Sequence, residues 1–516
     1  MFVNRMLKAS FSVYGSILLL LVLVSGCSSH HVYPTAPLEY QLSKPDDTLL
    51  AQYLQQLPEL ETHNGIYPLY DGLDAFTSRL LMIGSASVSI DLQYYLYHDD
   101  ETGKLLTLYL YNAAERGVRV RLLVDDMTTK GRDLSILNLA AHPNISIRIF
   151  NPANERTFRN LAFLNNFSRL NHRMHNKSLT IDNLVSVVGG RNIGDEYYSA
   201  SHSVEFGDFD VVMIGEVVSK VSEQFDLYWN SSQVRPIEQL FSSNTDILTA
   251  SEIQQYFSDY HQSMLEHPYL IRLTQSEFLH QMLNDQLVWY WSDAELIYDL
   301  PNKLNQLDEP TLLDDLNLLF KKTNDEMVIL SPYFVPTDKG TEALISAVKQ
   351  GKKVTIITNS LAATDVLAVH AGYINYRERL VKAGVTIYEM KAFLHKDKAK
   401  TKKSMLTGSS RSSLHAKMVA IDKQHLFVGS FNFDPRSAWL NTEMGVIIDN
   451  SELTQSIVEG IDNSIAKWAY LLKYKDEQLQ WWDIQQNIYY QQEPEANWWQ
   501  RFSAKFLSFL PIESQL

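Results

Sequence analysis

One cysteine, Cys27, stands among 516 residues, so no intrachain disulfide can form and the fold rests on packing. Positive charge is in deficit: 45 Lys and Arg against 60 Asp and Glu leave a formal net charge of −15. That sign repels a polyanion at long range and weighs against a nucleic-acid partner, although a local basic groove can override it. The apolar stretch from Phe11 to Val24 is too short to span a bilayer comfortably. What is present is globular composition, 45% hydrophobic and 20% charged, in a chain long enough for two or three domains with full cores.

The first residues account for the lone cysteine. Arg5 and Lys8 make a basic start, the apolar stretch follows, and "LVSGC" ends on small residues before Cys27, the layout of a secretory signal. "LVSGC" also resembles the bacterial lipobox, which implies that residues 1–26 are a signal peptide and that Cys27 becomes the lipidated first residue. The alternative is an uncleaved membrane anchor with an incidental cysteine. Both readings set the body of the protein at a membrane, outside the cytoplasm. The expectation is a membrane-anchored bacterial lipoprotein on the periplasmic side, held by acyl chains worth about 0.8 kcal/mol per buried CH₂. Ser28 lacks the acidic character associated with inner-membrane retention, and inner or outer membrane stays open. Residues 27–61 are polar and mixed and read as a tether.

Beyond it, "SVSIDLQYYLY" has strand composition, "GKLLTLYLYNAAERG" has helical period and ends at Gly117, and "VRVRLLVDD" is a further strand. "DEMVILSPYFV", "GTEALISAVKQG" and "KKVTIITNS" repeat that β-α-β order in the second half. The predicted fold class is α/β, with two tandem domains, 62–235 and 311–490, built of mixed, largely parallel sheets flanked by helices. Residues 236–310 read as a helical connection, with Trp289 and Trp291 as packing residues. In the tail, 491–516, Trp498, Trp499, Phe502, Phe506, Phe509 and Leu510 share one helical face and Arg501, Lys505 and Ser508 another. That pattern suits a helix lying in a lipid headgroup layer or one docked on the core.

The chemistry concentrates in two segments. In the first stand His175, Lys177, Asp182, Gly189, Gly190 and Asn192; in the second, His415, Lys417, Asp422, Gly429, Ser430 and Asn432. His to Lys is two residues, Lys to Asp five, Asp to the first glycine seven and that glycine to Asn three, in both copies. Residues two apart on a strand share a face, so each His and Lys look out together. Two such faces brought together suit a phosphodiester. Lysines and asparagines bind the non-bridging oxygens and stabilise charge in the transition state, while one imidazole attacks phosphorus and the other moves protons. A carboxylate behind each His would fix its tautomer. The candidates are Asp210, in "FGDFDVVMIG", and Glu443, in "LNTEMGVIID". His172 and His202 lack a Lys at the required spacing, and two lysines beside the histidines would repel a cation, so no metal is expected.

These residues resemble the phospholipase D superfamily, whose mark is H-x-K-x(4)-D followed by G-G/S-x-N, here present twice. From about residue 63 onward the chain is most similar to the bacterial cardiolipin synthase C-like group, on runs such as "RMHNKSLTIDNLVSVVGGRNIGDEYY", "SLHAKMVAID" and "GSFNFDPRSAWLNTEMG". The resemblance implies one active site where the two domains meet across a pseudo-twofold axis, without metal or cofactor, working through a phosphohistidine. His175 is then the nucleophile and His415 the general acid/base, an order that near symmetry leaves open. Lys177, Asn192, Lys417 and Asn432 bind phosphate, and Asp182 and Asp422 count with the catalytic set. The implied reaction moves a phosphatidyl group from one phospholipid to a hydroxyl of phosphatidylglycerol, with phosphatidylethanolamine a further candidate substrate; a requirement for an accessory protein is open. The rival readings are phospholipase D-type hydrolysis of phospholipid, phosphodiesterase action on nucleic acid, and a catalytically silent lipoprotein that binds lipid. Ahead of the second motif, "HKDKAKTKK" (395–403) reads as a solvated loop or as a flap drawing anionic headgroups, worth about 1 kcal/mol per Lys.

Overall fold

The computed structural model describes residues 36–516 except 154–155, 157–158, 160–166, 202–204, 242–244, 306–308 and 393–411. The signal segment, Cys27, His202 and the basic run 395–403 lie outside the described residues. Pro37 to Leu516 form one compact unit.

In the first half the strands Ser89–Tyr94, Arg119–Asp125 and Ile145–Phe150 run parallel, fed by two crossover helices, Glu101–Glu115 and Asp133–Ala140. The first of these starts where the Asp100 carboxylate accepts the Gly103 N–H and is followed by Gly117 at φ 94°, a left-handed position suited to glycine. The strands Ser178–Ile181, Val185–Gly189, Asp210–Ile214 and Asn64–Leu69 extend the sheet antiparallel. The second half repeats the order. Glu326–Leu330, Lys353–Asn359 and Thr386–Met390 are parallel, and Met418–Ile421, His425–Gly429 and Met444–Asp449 follow antiparallel. The sheets are mixed, with parallel pairing concentrated in the β-α-β core of each half.

The segment 236–310 holds the expected helices, Ala250–Met264, Pro268–Leu273 and Glu277–Leu283, but it ends in a strand, Tyr290–Tyr298, that the helical reading did not include. Its start pairs with the first half (Ile66 opposite Tyr290, Asn64 opposite Ser292) and its remainder with the second (Asp293 opposite Asp449 through Tyr298 opposite Met444). One 18-stranded sheet therefore runs through both halves. Trp289 and Trp291 sit half-buried, Trp289 edge-on to Tyr67 at 6.2 Å, in a packing role. A shared core adds rigidity: Val188, Val211 and Met213 of the first half pack in one cluster with Met418, Val428 and Val446 of the second, apolar area worth about 25 cal/mol per Å².

Residues 37–61, read as part of a tether, are docked. Glu39 pairs with Arg148 at 2.8 Å, the Gln41 N–H donates to Asp226 at 2.8 Å, and the carbonyls of Glu39 and Tyr40 accept from Arg121 and Arg119. These arginines need acceptors, and the polar segment supplies them. At the other end the helix Trp498–Leu507 buries Ala504 beside Leu361 and Leu367, while Trp498, Trp499 and Phe509 stand 62%, 66% and 73% exposed. Among the described residues no helix is long and apolar enough to cross a membrane.

Candidate active site

His175 and Lys177 lie just before the strand Ser178–Ile181, and His415 and Lys417 just before Met418–Ile421. The His-Lys pair thus occupies an extended approach to a strand rather than the strand itself. Each approach is clasped by the opposite half. The His175 N–H donates to Thr442 O at 2.8 Å and the His415 N–H to Gly207 O at 2.7 Å. The residue after each of those carbonyls is the carboxylate that holds the ring: Glu443 Oε2 lies 2.8 Å from His175 Nδ1, and Asp208 Oδ2 lies 2.6 Å from His415 Nδ1. Glu443 takes the role expected of it. Asp210 does not. Its carboxylate is held inside the first half by Arg79 at 2.8 Å and Arg191 at 3.3 Å, and Asp208, which the sequence reading passed over, orients the ring.

The sheet register explains the exchange. Gly189 stands opposite Asp210 and Gly429 opposite Gly445, so the position two residues earlier, Asp208 in one half and Glu443 in the other, occupies the same place in each. Gly190 is required there, because a Cβ on it would meet the Asp208 carboxylate at 2.1 Å. Its counterpart is Ser430, whose hydroxyl donates to Glu443 Oε2 at 2.5 Å.

The lysines close the set. Lys177 Nζ donates to His175 O and Lys417 Nζ to His415 O, both at 2.5 Å, and Lys417 Nζ also lies 2.8 Å from His415 Nδ1. Tyr95 packs edge-on against His175 at 4.9 Å, while Tyr197 and Phe206 flank His415, each at 5.1 Å. Asn192 is set by the Leu96 N–H at 3.2 Å and the Tyr197 hydroxyl at 2.8 Å. Asn432 Oδ1 is buried without a hydrogen-bond partner among the described residues, which leaves that amide available to a ligand.

Burial dominates the electrostatics. It lowers His175 to about 4, with Glu443 opposing and Lys177 assisting, and lowers His415 as well. It pulls Lys177 down to about 7 and Lys417 to about 8 against the pull of Glu443 and Asp208. Burial alone would raise the two carboxyls; the facing imidazoles and lysines outweigh it and hold both below the ordinary range. In the substrate-free site His175 is thus neutral near pH 7, donating from Nδ1 to Glu443 and keeping a lone pair on Nε2, while His415 faces Asp208 through Nδ1 with Lys417 Nζ 3.0 Å from its Nε2. Two ammonium groups stand beside them, Lys177 near its midpoint at pH 7 and Lys417 still mostly charged, a set that an anion would complete.

Asp182 and Asp422 are away from this chemistry. Each follows the strand that its Lys precedes, at φ 52° and 51°. Asp182 accepts the N–H groups of Ser87, Val88 and Ser89 at 2.9, 2.8 and 2.7 Å, and Asp422 those of Asn324, Asp325 and Glu326 at 2.8, 2.9 and 2.9 Å. They fix a turn to the start of the neighbouring strand, at the far end from the His. His172 bonds the carbonyls of Leu440 and Pro301 and serves packing between the halves. Among the described residues the one His-acid cluster with metal-like spacing, His98, Asp100 and Glu196, is half-exposed and is tied by its own ion pairs at 3.8 and 3.3 Å.

Tandem halves that each lend an imidazole, a lysine and an asparagine to one centre, and a carboxylate to the other half's ring, define a phospholipase D-type protein. A family model described as "Cardiolipin synthase, PLD-like domain" matches residues 80–229 and again 316–465. "Cardiolipin synthase C" of Escherichia coli (strain K12) is 39% identical over 455 residues, covering 87% of this chain and 95% of its own. "Cardiolipin synthase" of Oceanobacillus iheyensis is 25% identical over 78% of this chain and 69% of its own. The chain belongs to the family of PLD-like cardiolipin synthases. Its fold is shared with a solved phosphatidylserine synthase of Haemophilus influenzae, at a TM-score of 0.54 and 16% identity over 82% of this chain and 92% of that one.

Proposed function

We propose that this protein is a phosphatidyltransferase that makes cardiolipin, moving a phosphatidyl group onto a hydroxyl of phosphatidylglycerol through a phosphohistidine. The observation that carries the reading is the crossed clasp of the two histidines, each ring held by a carboxylate of the other half. His175 Nε2 attacks phosphorus in line with the leaving alcohol, whose oxygen takes a proton from His415 in its imidazolium form, which Asp208 at 2.6 Å and the negative charge of the bound phosphodiester favour. The phosphorus–nitrogen bond formed is then broken by the acceptor hydroxyl as His415 takes back its proton, so charge and atoms balance over the two steps. Lys177, Lys417, Asn192 and Asn432 bind the phosphoryl oxygens and stabilise the charge that builds there.

A lipid rather than a nucleic acid is supported by the exposed aromatic face of the C-terminal helix and by the acidic balance of the chain. Membrane attachment through Cys27 and a periplasmic position belong to the same proposal and rest on residues 1–28 of the sequence. Incubation of the purified protein with labelled phosphatidylglycerol, with and without phosphatidylethanolamine, tests it: cardiolipin is the expected product. Phosphatidic acid as the sole product would establish hydrolysis instead.

A further inference from the structure

An apolar cavity lies beside the catalytic centre and contains neither catalytic histidine. It measures about 330 Å³ and runs between the sheet of the first half and three covering helices, near the lower bound of the roughly 300–1,000 Å³ usual for ligand sites. Its walls are Leu122, Val124 and Ile147 from the parallel strands and Leu139, Ile253 and Phe257 from the helices. The connecting helix Ala250–Met264 supplies Ile253, Tyr256, Phe257 and Tyr260, one apolar stripe at helical spacing. That stripe packs against the domain without filling the space in front of it. At the rim stand His98, Lys104 and Arg132, with Lys104 42% exposed and 3.9 Å from Asp99.

The cavity and the centre share one stretch of chain. Tyr95 touches His175, the Leu96 N–H holds Asn192, and Tyr97, bridged to Ile193, lines the cavity with its hydroxyl 2.8 Å from Thr107 Oγ1. A ligand spanning both therefore carries a phosphodiester at one end and hydrocarbon at the other.

We propose that this cavity takes an acyl chain of the phospholipid whose phosphodiester lies between His175 and His415. The proposal rests on the lipid reading above and adds the site that anchors the donor or acceptor by its tail. A largely apolar pocket favours hydrocarbon over water, and each CH₂ removed from water contributes about 0.8 kcal/mol.

The test uses the full chain and two variants that fill the cavity, Ile136→Trp on the helix Asp133–Ala140 and the milder Ile253→Phe, with thermal melting to confirm folding. Binding of a dansyl-labelled undecanoic acid is measured first, then turnover of dioleoyl and of dihexanoyl phosphatidylglycerol. Both variants are expected to weaken probe binding and to lower kcat/KM for the dioleoyl lipid by about tenfold or more, while the dihexanoyl lipid changes by less than about twofold. A wild-type protein that does not bind the probe, variants that bind it as well as wild type, or equal loss on both lipids would overturn the proposal. Probe binding that the variants lose, in a protein that turns over no lipid, would support the cavity and sink the transferase reading instead.

Discussion

Glu443 holds the Nδ1 of His175 at 2.8 Å across 268 residues of sequence, and Asp208 returns the arrangement to His415 across 207. Neither half contains a complete His-carboxylate unit. Catalytic competence therefore depends on the two halves being docked, which the shared core and the bridging strand Tyr290–Tyr298 enforce.

Replacing either carboxylate by its amide keeps the shape and removes the charge that fixes the ring. Glu443→Gln and Asp208→Asn should each lower kcat by about 10²- to 10⁴-fold with little change in melting temperature, while Asp210→Asn should act mainly on stability. Steady-state turnover of labelled phosphatidylglycerol alongside thermal melts decides this. If Asp210→Asn were the variant that lost turnover with its fold intact, the assignment would be reversed.

The repeat of His, Lys and Asn was legible because those residues belong to one strand-turn-strand unit whose spacing survives in both halves. The carboxylates were harder to read, since the chain between Asn and acid is longer in the first half (Asn192 to Asp208) than in the second (Asn432 to Glu443), and "GDFD" offers two acids on alternate positions. Only the register, with Asp210 opposite Gly189 and Gly445 opposite Gly429, distinguishes them. Asp182 and Asp422 show the converse limit. They sit at motif spacing, yet spacing alone cannot tell an acid that meets substrate from one that ties a turn. The strand Tyr290–Tyr298 was hidden because its burial does not alternate cleanly along a strand that changes partner after Ser292.

The role of Asp182 is open to a direct check. Asp182→Ala strips three backbone N–H groups of their acceptor at once, so folding stability should fall by about 2 kcal/mol or more. The folded fraction should retain kcat within about threefold, because the substitution touches no group at the phosphorus site. Denaturant unfolding and active-site titration separate the two quantities.

The lysines set the alkaline limit. A Lys whose folded pKa is depressed carries its charge only below that value, and Lys177 and Lys417 stand at about 7 and 8. His175, at about 4, is neutral and able to attack through the same range, while His415, also depressed, must still hold a proton to serve the leaving alcohol. In the free enzyme kcat/KM should therefore rise as pH passes about 4, where His175 loses its proton, and be falling by about pH 7 to 8 as His415 and the two lysines lose theirs, well before an exposed lysine with its ordinary value near 10.4 would titrate. A profile flat to pH 10 would contradict it.

Stability should run against activity at the same residue. Between pH 10.5 and about 7 the unfolded chain holds a proton on Lys177 that the folded chain resists, so the folded state loses ground as pH falls through that window. Lys177→Met removes that cost. At pH 7 the variant should be inactive yet melt higher than wild type, by about 1 °C for each kcal/mol regained, and the gain should shrink toward pH 10. Scanning calorimetry at the two pH values measures both the sign and the slope.

The C-terminal helix offers the remaining test. Ala504 is buried and the Arg501 guanidinium donates to Glu493 O at 2.8 Å, so the helix is fixed to the second half. Its outer face keeps Trp498, Trp499, Phe502 and Phe506 at 62%, 66%, 51% and 56% exposure. Trp498 stacks on Phe502 at 5.4 Å, an arrangement of aromatic surface toward solvent that an interfacial lipid layer would cover. Replacing Trp498, Trp499 and Phe502 together by Ser should leave the fold intact, since none of the three is buried, and should weaken binding to phosphatidylglycerol vesicles by roughly 10²-fold. Turnover of lipid in vesicles should fall with binding, while turnover of dihexanoyl phosphatidylglycerol below its micellar concentration should not. Vesicle binding equal to wild type in co-flotation would show that this face serves something other than lipid.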